Sequence, residues 1–153
     1  MAAKKSKRWR SGKREVRPRM VQMTRHLVVT EGKETEPRYF EGVRAALCAA
    51  NERKVAVIVK GTGKHTLDLL DFAVEHCRYA PETFDHVWLV YDKDDFPASD
   101  FDAMERKCTE LSDGSRTFHA LWSNPCFELW LLLHFRYTTA PMSAAECQRA
   151  LAQ

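Results

Sequence analysis

Acidic side chains are concentrated directly after two stretches of the sequence that have the pattern of buried β-strands. Glu31 follows the first stretch, and Asp92, Asp94 and Asp95 follow the third. If the backbone stays extended there, side chains two residues apart leave on the same side, so Asp92 and Asp94 can share one hard cation such as Mg²⁺. A divalent ion also relieves the repulsion between carboxylates gathered in one crevice. The alternative is an ordinary solvated acidic turn, which suffices for Asp95 alone.

These carboxylates predict metal-dependent phosphodiester chemistry. A metal ion held by Asp92 and Asp94 can clamp a phosphodiester and lower the pKa of an attacking water, while Glu31 can serve as a second metal ligand or as a general base. We therefore expect Glu31, Asp92 and Asp94 to be catalytic and metal-binding, with Mg²⁺ or Mn²⁺ as the cofactor. The sequence contains no Gly-x-Ser-x-Gly elbow and no His-x-x-x-His pair, so nothing supports a nucleophile-elbow or zincin hydrolase.

A further acidic residue, Glu128, lies in an apolar segment after the fourth predicted strand. Asn124 is a suitable N-cap for a helix and Pro125 a suitable first helical residue. A carboxylate among Phe and Leu residues is expensive to bury alone, so Glu128 should meet a metal ion, a basic side chain or water in the crevice. The alternative is a glutamate that only stabilises the helix N-terminus.

A glycine-rich turn, Gly61-Thr62-Gly63-Lys64, follows the second predicted strand. It does not satisfy the P-loop pattern, because Ile58 stands where that pattern has Gly and His65 where it has Ser or Thr. A turn of this kind that leads into a helix N-terminus still favours an anion. Gly61, Gly63 and Lys64 are therefore candidate phosphate-binding residues, and the alternative for Lys64 is an exposed turn lysine.

The elements that must position these residues alternate between strands and helices. Short β-branched runs predict strands at Leu27–Thr30, Val55–Val59, Val87–Tyr91 and Thr117–Trp122. Helical spacing of apolar residues predicts helices from Glu36-Pro37, over Leu67–Cys77, over Phe101–Leu111 and over Phe127–Phe135. Short connections between such elements imply an α/β fold with a small, mainly parallel sheet flanked by helices. The ligand crevice of such a sheet lies beyond the carboxyl ends of its strands.

The charge of the 153-residue chain is divided between two regions. The first 25 residues hold ten Lys/Arg and one acid, a net charge of +9, whereas the remaining 128 hold 14 bases and 20 acids, a net charge of −6. This predicts a flexible basic arm that binds nucleic acid, with a solubilising tail as the alternative. The arm residues singled out are Lys4, Lys5, Lys7, Arg8, Arg10, Lys13 and Arg14. No apolar run is long enough to span a membrane and no secretory signal is evident, so we expect a cytoplasmic protein with no membrane association.

Three segments together resemble a known family. A Glu after strand one with an Asp-x-Asp after strand three is similar to the Toprim domain of topoisomerases, primases and certain nucleases. The strings EGKETEPRYF at 31–40, DKDDF at 92–96 and SNPCFELW at 123–130, followed by His134, resemble the RloB family, a Toprim-related group. The resemblance covers about residues 20 to 140.

The resemblance implies a metal-dependent nuclease-like centre in bacterial anti-phage defence, often accompanied by an ATPase partner. By the match, Glu31 takes the place of the Toprim glutamate, and Asp92 and Asp94 that of the metal-binding Asp-x-Asp. Glu34, Glu128 and Asp95 are possible additional site residues. The expected organisation is an arm at 1–25, a Toprim-like domain at 26–140 and, at 141–153, the start of a C-terminal helix. The family usually runs longer, so a C-terminal lobe is expected to be truncated, which puts activity in doubt.

Three functions remain open at this point. The first is a Mg²⁺- or Mn²⁺-dependent nuclease that acts on DNA or RNA. The second is a non-catalytic nucleic-acid-binding or regulatory subunit of a defence complex with an ATPase partner. The third is an interaction module that recruits an ATPase and by itself binds neither metal nor nucleic acid.

Overall fold

The computed structural model describes residues 23–50, 54–93 and 98–153, without the side chains of residues 66, 98 and 100. Four strands and five helices are formed by these residues. The strands are β1 (Thr24–Thr30), β2 (Val55–Gly61), β3 (His86–Asp92) and β4 (Thr117–Ser123). The helices are α1 (Thr35–Ala50), α2 (Thr66–Tyr79), α3 (Ala98–Leu111), α4 (Phe127–Leu133) and α5 (Ala144–Leu151). None of the described helices is long and apolar enough to cross a membrane.

The strands form one sheet in the order β2-β1-β3-β4, and all neighbouring pairs are parallel. Parallel strands need crossover connections, and a helix fills each crossover from β1 to β2, β2 to β3 and β3 to β4. The predicted α/β class with a parallel sheet flanked by helices is therefore confirmed, while the finer Toprim-like resemblance stays a prediction.

One face of the sheet holds the main hydrophobic core. Leu27, Val29, Val87 and Leu89 of the two central strands are fully buried there. Leu69 and Ala73 of α2 and Met104 and Cys108 of α3 pack against them. The recurring apolar positions of both helices meet the sheet because a helix presents residues three and four apart on one face.

The opposite face is covered less completely. Val28 and Val90 are buried with Phe127 of α4, and Tyr39 and Phe40 of α1 pack beside them. Leu121 of the edge strand β4 stays 42% exposed. This face therefore carries open apolar space between α1 and α4.

The start of α4 differs from the prediction that Asn124 caps the helix and Pro125 opens it. The N-cap is Cys126 and the first helical residue is Phe127. Asn124 and Pro125 form a bend between β4 and α4, and the peptide bond that joins them is cis. The second predicted cap is confirmed, because Ser143 and Glu146 form a reciprocal capping box at α5.

Three histidines, His26, His86 and His119, contact one another on the less covered face of the sheet. The rings of His26 and His86 stack with centroids 4.9 Å apart, and Nδ1 of His86 lies 3.1 Å from Nε2 of His119. Trp88 stacks on His119 at 3.9 Å and donates its indole N–H to Nδ1 of His26. Parallel register brings them together, since His26 pairs with His86 and Trp88 with His119.

This histidine cluster predicts that stability falls as the pH drops below the ordinary histidine range. Burial, followed by the neighbouring His86, lowers the pKa of both His26 and His119, against an opposing contribution of Asp85 at His26. A histidine with a lowered pKa contributes stability above its unfolded pKa of 6.5, and that stability is lost as the pH falls through the folded value. Urea unfolding between pH 8 and pH 5 should show this loss.

The His119→Phe variant isolates the contribution of the cluster. Phenylalanine can stack on Trp88 but cannot gain a proton, so the free energy of unfolding of the variant should fall less between pH 7 and pH 5 than that of the unaltered protein. Parallel loss in both proteins would contradict the assignment.

Candidate active site at the carboxyl ends of the strands

The sheet register brings the ends of all four strands to one edge. Thr30 pairs with Gly61 and with Val90, and Asp92 pairs with Ser123. Glu31, Gly61 and Asp92 therefore lie at this edge, where open parallel sheets bind their ligands.

Glu31 is held at this edge by contacts to both of its carboxylate oxygens. His65, the N-cap residue of α2, places Nδ1 2.6 Å from Oε1 of Glu31. The backbone N–H of Asp92 donates to Oε2 at 3.3 Å. The Glu31 side chain is 14% exposed and that of His65 is 72% exposed. Glu31 thus joins the end of β1 to the end of β3 and to the start of α2.

A second glutamate, Glu36 in the first turn of α1, is buried beside Glu31. Its Oε1 accepts the backbone N–H of Gly32 at 3.1 Å, and only 8% of the residue is exposed. A Cβ at position 32 would collide with this carboxylate, so the absence of a side chain at Gly32 lets Glu36 approach the backbone.

Asp92 is the most perturbed carboxylate of this edge. Its pKa is raised from 3.8 to about 7, chiefly by burial and then by the charges of Glu36, Glu31 and Glu128. A hydrogen bond from the backbone N–H of Phe127 opposes this rise. Asp92 of β3 therefore shares one electrostatic environment with Glu36 of α1, Glu128 of α4 and Glu31 at the end of β1.

Glu128 lies in the first turn of α4, as the sequence indicates. Its carboxylate accepts a hydrogen bond from the Cys126 thiol, whose pKa is raised to about 12 by burial and by this neighbour. Glu128 also contributes to the raised pKa of Asp92. Among the described residues Glu128 forms no ion pair with a basic side chain, and a metal ion or water in the crevice stays its predicted partner.

The glycine turn after β2 is closed by hydrogen bonds within the protein. The backbone N–H of Thr62 donates to Thr30 O and that of Gly63 donates to Glu31 O at 2.7 Å. The Lys64 N–H donates to Thr62 Oγ1, and Gly63 adopts φ +66°, which favours glycine. These three N–H groups are therefore engaged in holding the turn against β1. Phosphate binding by Gly61, Gly63 and the exposed Lys64 stays a prediction.

The donor chemistry of this edge fits a hard divalent cation. The ligands available are carboxylate oxygens, which Mg²⁺ and Mn²⁺ prefer, and burial followed by the neighbouring carboxylates raises the pKa of Asp92. In the described part of the chain, no three His, Cys, Asp or Glu side chains are arranged to hold a metal ion. Asp94 and Asp95 lie outside the described residues, as do the arm residues.

Two members of the site were missed from sequence. The family resemblance indicated Glu34, and not Glu36, as a possible site residue. Glu34 is 75% exposed and forms an ion pair with Arg38. The signal for Glu36 was its place in the first helical turn, four residues after Gly32. His65 entered the sequence analysis only as a residue that does not fit the P-loop pattern. Its position between the end of β2 and the start of α2 places it at the carboxyl edge of the sheet.

Comparison with known proteins gives one match. A family model described as RloB, RloB-like protein, matches residues 26–153, which is nearly the whole chain. The match confirms the family resemblance that the three motifs predicted. Neither the curated proteins nor the solved structures include a match to this chain.

The raised pKa of Asp92 predicts that Asp92→Asn stabilises the protein without metal at neutral and alkaline pH. Because the folded pKa of about 7 exceeds the unfolded value of 3.8, ionisation of Asp92 opposes folding increasingly as the pH rises from about 4 through 7. Asparagine keeps an oxygen that can accept the Phe127 N–H. In EDTA at pH 8 we expect the variant to gain up to about 4 kcal/mol in free energy of unfolding, and the gain to fall below about 1 kcal/mol near pH 4.

Asp113→Asn is the matched control for this measurement. Asp113 is exposed, and hydrogen bonds from Ser115 and Arg116 lower its pKa, so its replacement should destabilise the protein at pH 8. An Asp92→Asn variant that is no more stable than the unaltered protein at pH 8 would contradict the account of carboxylate crowding.

Proposed function

This chain belongs to the RloB-like family, and from that premise we propose that it is a Mg²⁺- or Mn²⁺-dependent nuclease that hydrolyses DNA or RNA in bacterial anti-phage defence. The observation that carries the proposal is the group of four carboxylates at the carboxyl edge of the sheet, in which the pKa of Asp92 is raised to about 7. Such an arrangement is costly without a cation, and perturbed pKa values of this kind cluster at functional sites.

Each acidic residue has a role that follows from its position. Asp92 and Glu31, with Asp94 from the segment after β3, would hold the metal ion. When bound, the ion would polarise the phosphodiester and lower the pKa of a water. The alternative role of Glu31 is that of general base instead of metal ligand, and in either role His65 and the Asp92 N–H position its carboxylate. Glu36 and Glu128 add negative charge that favours cation binding.

The charge division of the chain supports a polyanionic partner. The acidic body would repel a nucleic acid, whereas the arm with its net charge of +9 attracts one over a long range. The residues before 23 can extend at most about 75 Å at roughly 3.5 Å per residue. That length exceeds the roughly 23 Å of a seven-residue strand, so the arm is long enough to reach the carboxyl edge. An ATPase is the protein partner that we propose.

One observation favours a second candidate, a non-catalytic nucleic-acid-binding or regulatory subunit. The described residues provide no three side chains arranged around a metal position. In this case the carboxylate group would have a structural role, and the arm would supply the binding.

A cleavage assay separates the two candidates. Plasmid DNA, single-stranded DNA and tRNA are incubated with the protein in Mg²⁺, Mn²⁺ or EDTA. We expect cleavage of at least one substrate with metal and none in EDTA. Glu31→Gln and Asp92→Asn should each lower the rate at least about 100-fold, because each removes a charge that the reaction requires.

Glu41→Gln is the matched control for these variants. Glu41 lies on α1 like Glu36, but its side chain is 45% exposed and pairs with Arg44, so its replacement should leave cleavage unchanged. Cleavage that persists in both site variants would rule out the proposed site, and absence of cleavage with either metal would favour the second candidate.

Deletion of residues 1–22 tests the arm. The deletion removes nine Lys/Arg, so binding of a labelled oligonucleotide should weaken and its dependence on salt should become less steep, since fewer counterions are released. Fluorescence anisotropy between about 50 and about 300 mM NaCl, where binding to phosphates depends strongly on salt, measures the affinity and its salt dependence. An unchanged salt slope would show that the arm does not contact phosphates.

A further inference from the structure

An aromatic cavity lies beside the carboxylate group on the less covered face of the sheet. It has a volume of about 290 Å³ and opens between α1 and α4 over β3 and β4. Its principal lining residues are Tyr39, Phe40, Val90, Ser123, Phe127 and Trp130. This volume is near the lower limit for small-molecule sites, so the cavity suits one planar group rather than an extended ligand.

The rings around this cavity are arranged edge to face. Tyr39 meets Trp130 at 87° and Phe127 at 74°, with centroids 6.5 and 5.5 Å apart. Trp130 remains 48% exposed, so part of the indole is open to a ligand. At the rim, the Tyr39 hydroxyl lies 3.3 Å from Nε2 of His134. The cavity thus combines surfaces on which a planar ring can stack with polar groups at its border.

Two residues that line the cavity, Phe127 and Ser123, also meet Asp92 of the candidate active site. Phe127, which lines it, donates its backbone N–H to Asp92. Ser123, which also lines it, pairs with Asp92 in the β3–β4 ladder. A group seated in the cavity would therefore lie next to the carboxylates that we assign to phosphodiester hydrolysis.

We propose that this cavity binds one unpaired nucleobase of a single-stranded nucleic acid, and so positions the adjoining phosphodiester at Asp92. The inference rests on the proposed function, because it assigns the substrate class of the same site. A paired base cannot enter a cavity of this size without leaving its stack, so unpaired strands bind at a lower cost.

Charge and composition favour a nucleobase over other occupants. Stacking on an aromatic ring is the sequence-tolerant way in which proteins hold unpaired bases, and the basic arm supplies attraction for the attached phosphates. A neighbouring cavity of similar volume is lined by His26, Trp88 and apolar residues that include Val28. Its lining includes neither Ser123 nor Phe127, the two residues through which the first cavity meets Asp92, so it carries no such assignment.

Binding of two single-stranded oligomers of equal length and charge tests the proposal. One is a fluorescein-labelled oligodeoxyadenylate, and the other has the same backbone with abasic sites throughout. Anisotropy titrations with the full chain in EDTA should give about tenfold tighter binding of the base-containing strand. Equal affinities would overturn the proposal, which is also the result expected if the cavity serves a protein partner instead.

Variants of Trp130 test whether the difference in affinity between the two oligomers arises in the cavity. Trp130→Leu should lower affinity for the oligodeoxyadenylate about tenfold without changing affinity for the abasic strand, and Trp130→Phe should restore most of the loss. Tyr137→Leu is the matched control, because Tyr137 is 87% exposed and does not line the cavity. An unchanged affinity in a folded Trp130→Leu variant would overturn the proposal.

This experiment remains informative if the proposed function fails. Binding in EDTA does not depend on cleavage, so base-dependent binding without nuclease activity would support the cavity and contradict the nuclease. Metal-dependent cleavage without base-dependent binding would support the nuclease and contradict the cavity. Circular dichroism and the thermal unfolding midpoint verify that each variant is folded.

Discussion

The crowding of carboxylates around Asp92 is the constraint on which the functional account of this protein depends. Parallel register places the ends of β1 and β3 side by side, and the first turns of α1 and α4 add Glu36 and Glu128 to the same edge. Burial and these neighbours raise the pKa of Asp92 to about 7. Negative charge of this density is expensive to keep in a partly buried site unless a cation or a proton compensates it.

The surrounding structure holds the carboxylates in place by specific contacts. The Gly32 N–H donates to Glu36, and the Asp92 N–H and His65 hold Glu31. The Phe127 N–H stabilises the ionised form of Asp92 against its neighbours. Because these contacts involve α1, α2, β3 and α4, the arrangement depends on the helices packed on both faces of the sheet. Functional sites often contain arrangements that lower the stability of the fold and that the surrounding structure holds in place. The carboxylates around Asp92 have this organisation.

The general position of the site could be predicted from sequence, because it depends on simple periodicities. The apolar runs that end at Thr30 and before Asp92 identify two strands, and parallel pairing then brings Glu31 and Asp92 to one edge. Glu36 and His65 could not be placed in this way. Their positions depend on the turns before α1 and α2. Gly32 has no side chain that would collide with Glu36, and Gly63 adopts a positive φ two residues before His65.

Contacts between distant elements were the least predictable. The stacking of His26 with His86 depends on which strands are neighbours, and the strand order was not predicted. The aromatic cavity depends on the packing of Tyr39 in α1 against Trp130 in α4 across 90 residues. The start of α4 was predicted two residues early because Asn124 and Pro125 have strong local preferences for a helix start, yet these two residues form a bend before Cys126, the observed N-cap.

Calorimetric titration of Mn²⁺ into the purified protein at pH 7.5 tests the central claim most directly, since it asks whether the carboxylate group binds a cation. The account predicts saturable binding that releases protons from Asp92, whose pKa is about 7. It also predicts that Asp92→Asn and Glu31→Gln each weaken binding at least about tenfold, as loss of a ligand or its support does. Absence of saturable binding, or binding by both variants that is as tight as that of the unaltered protein, would contradict the account.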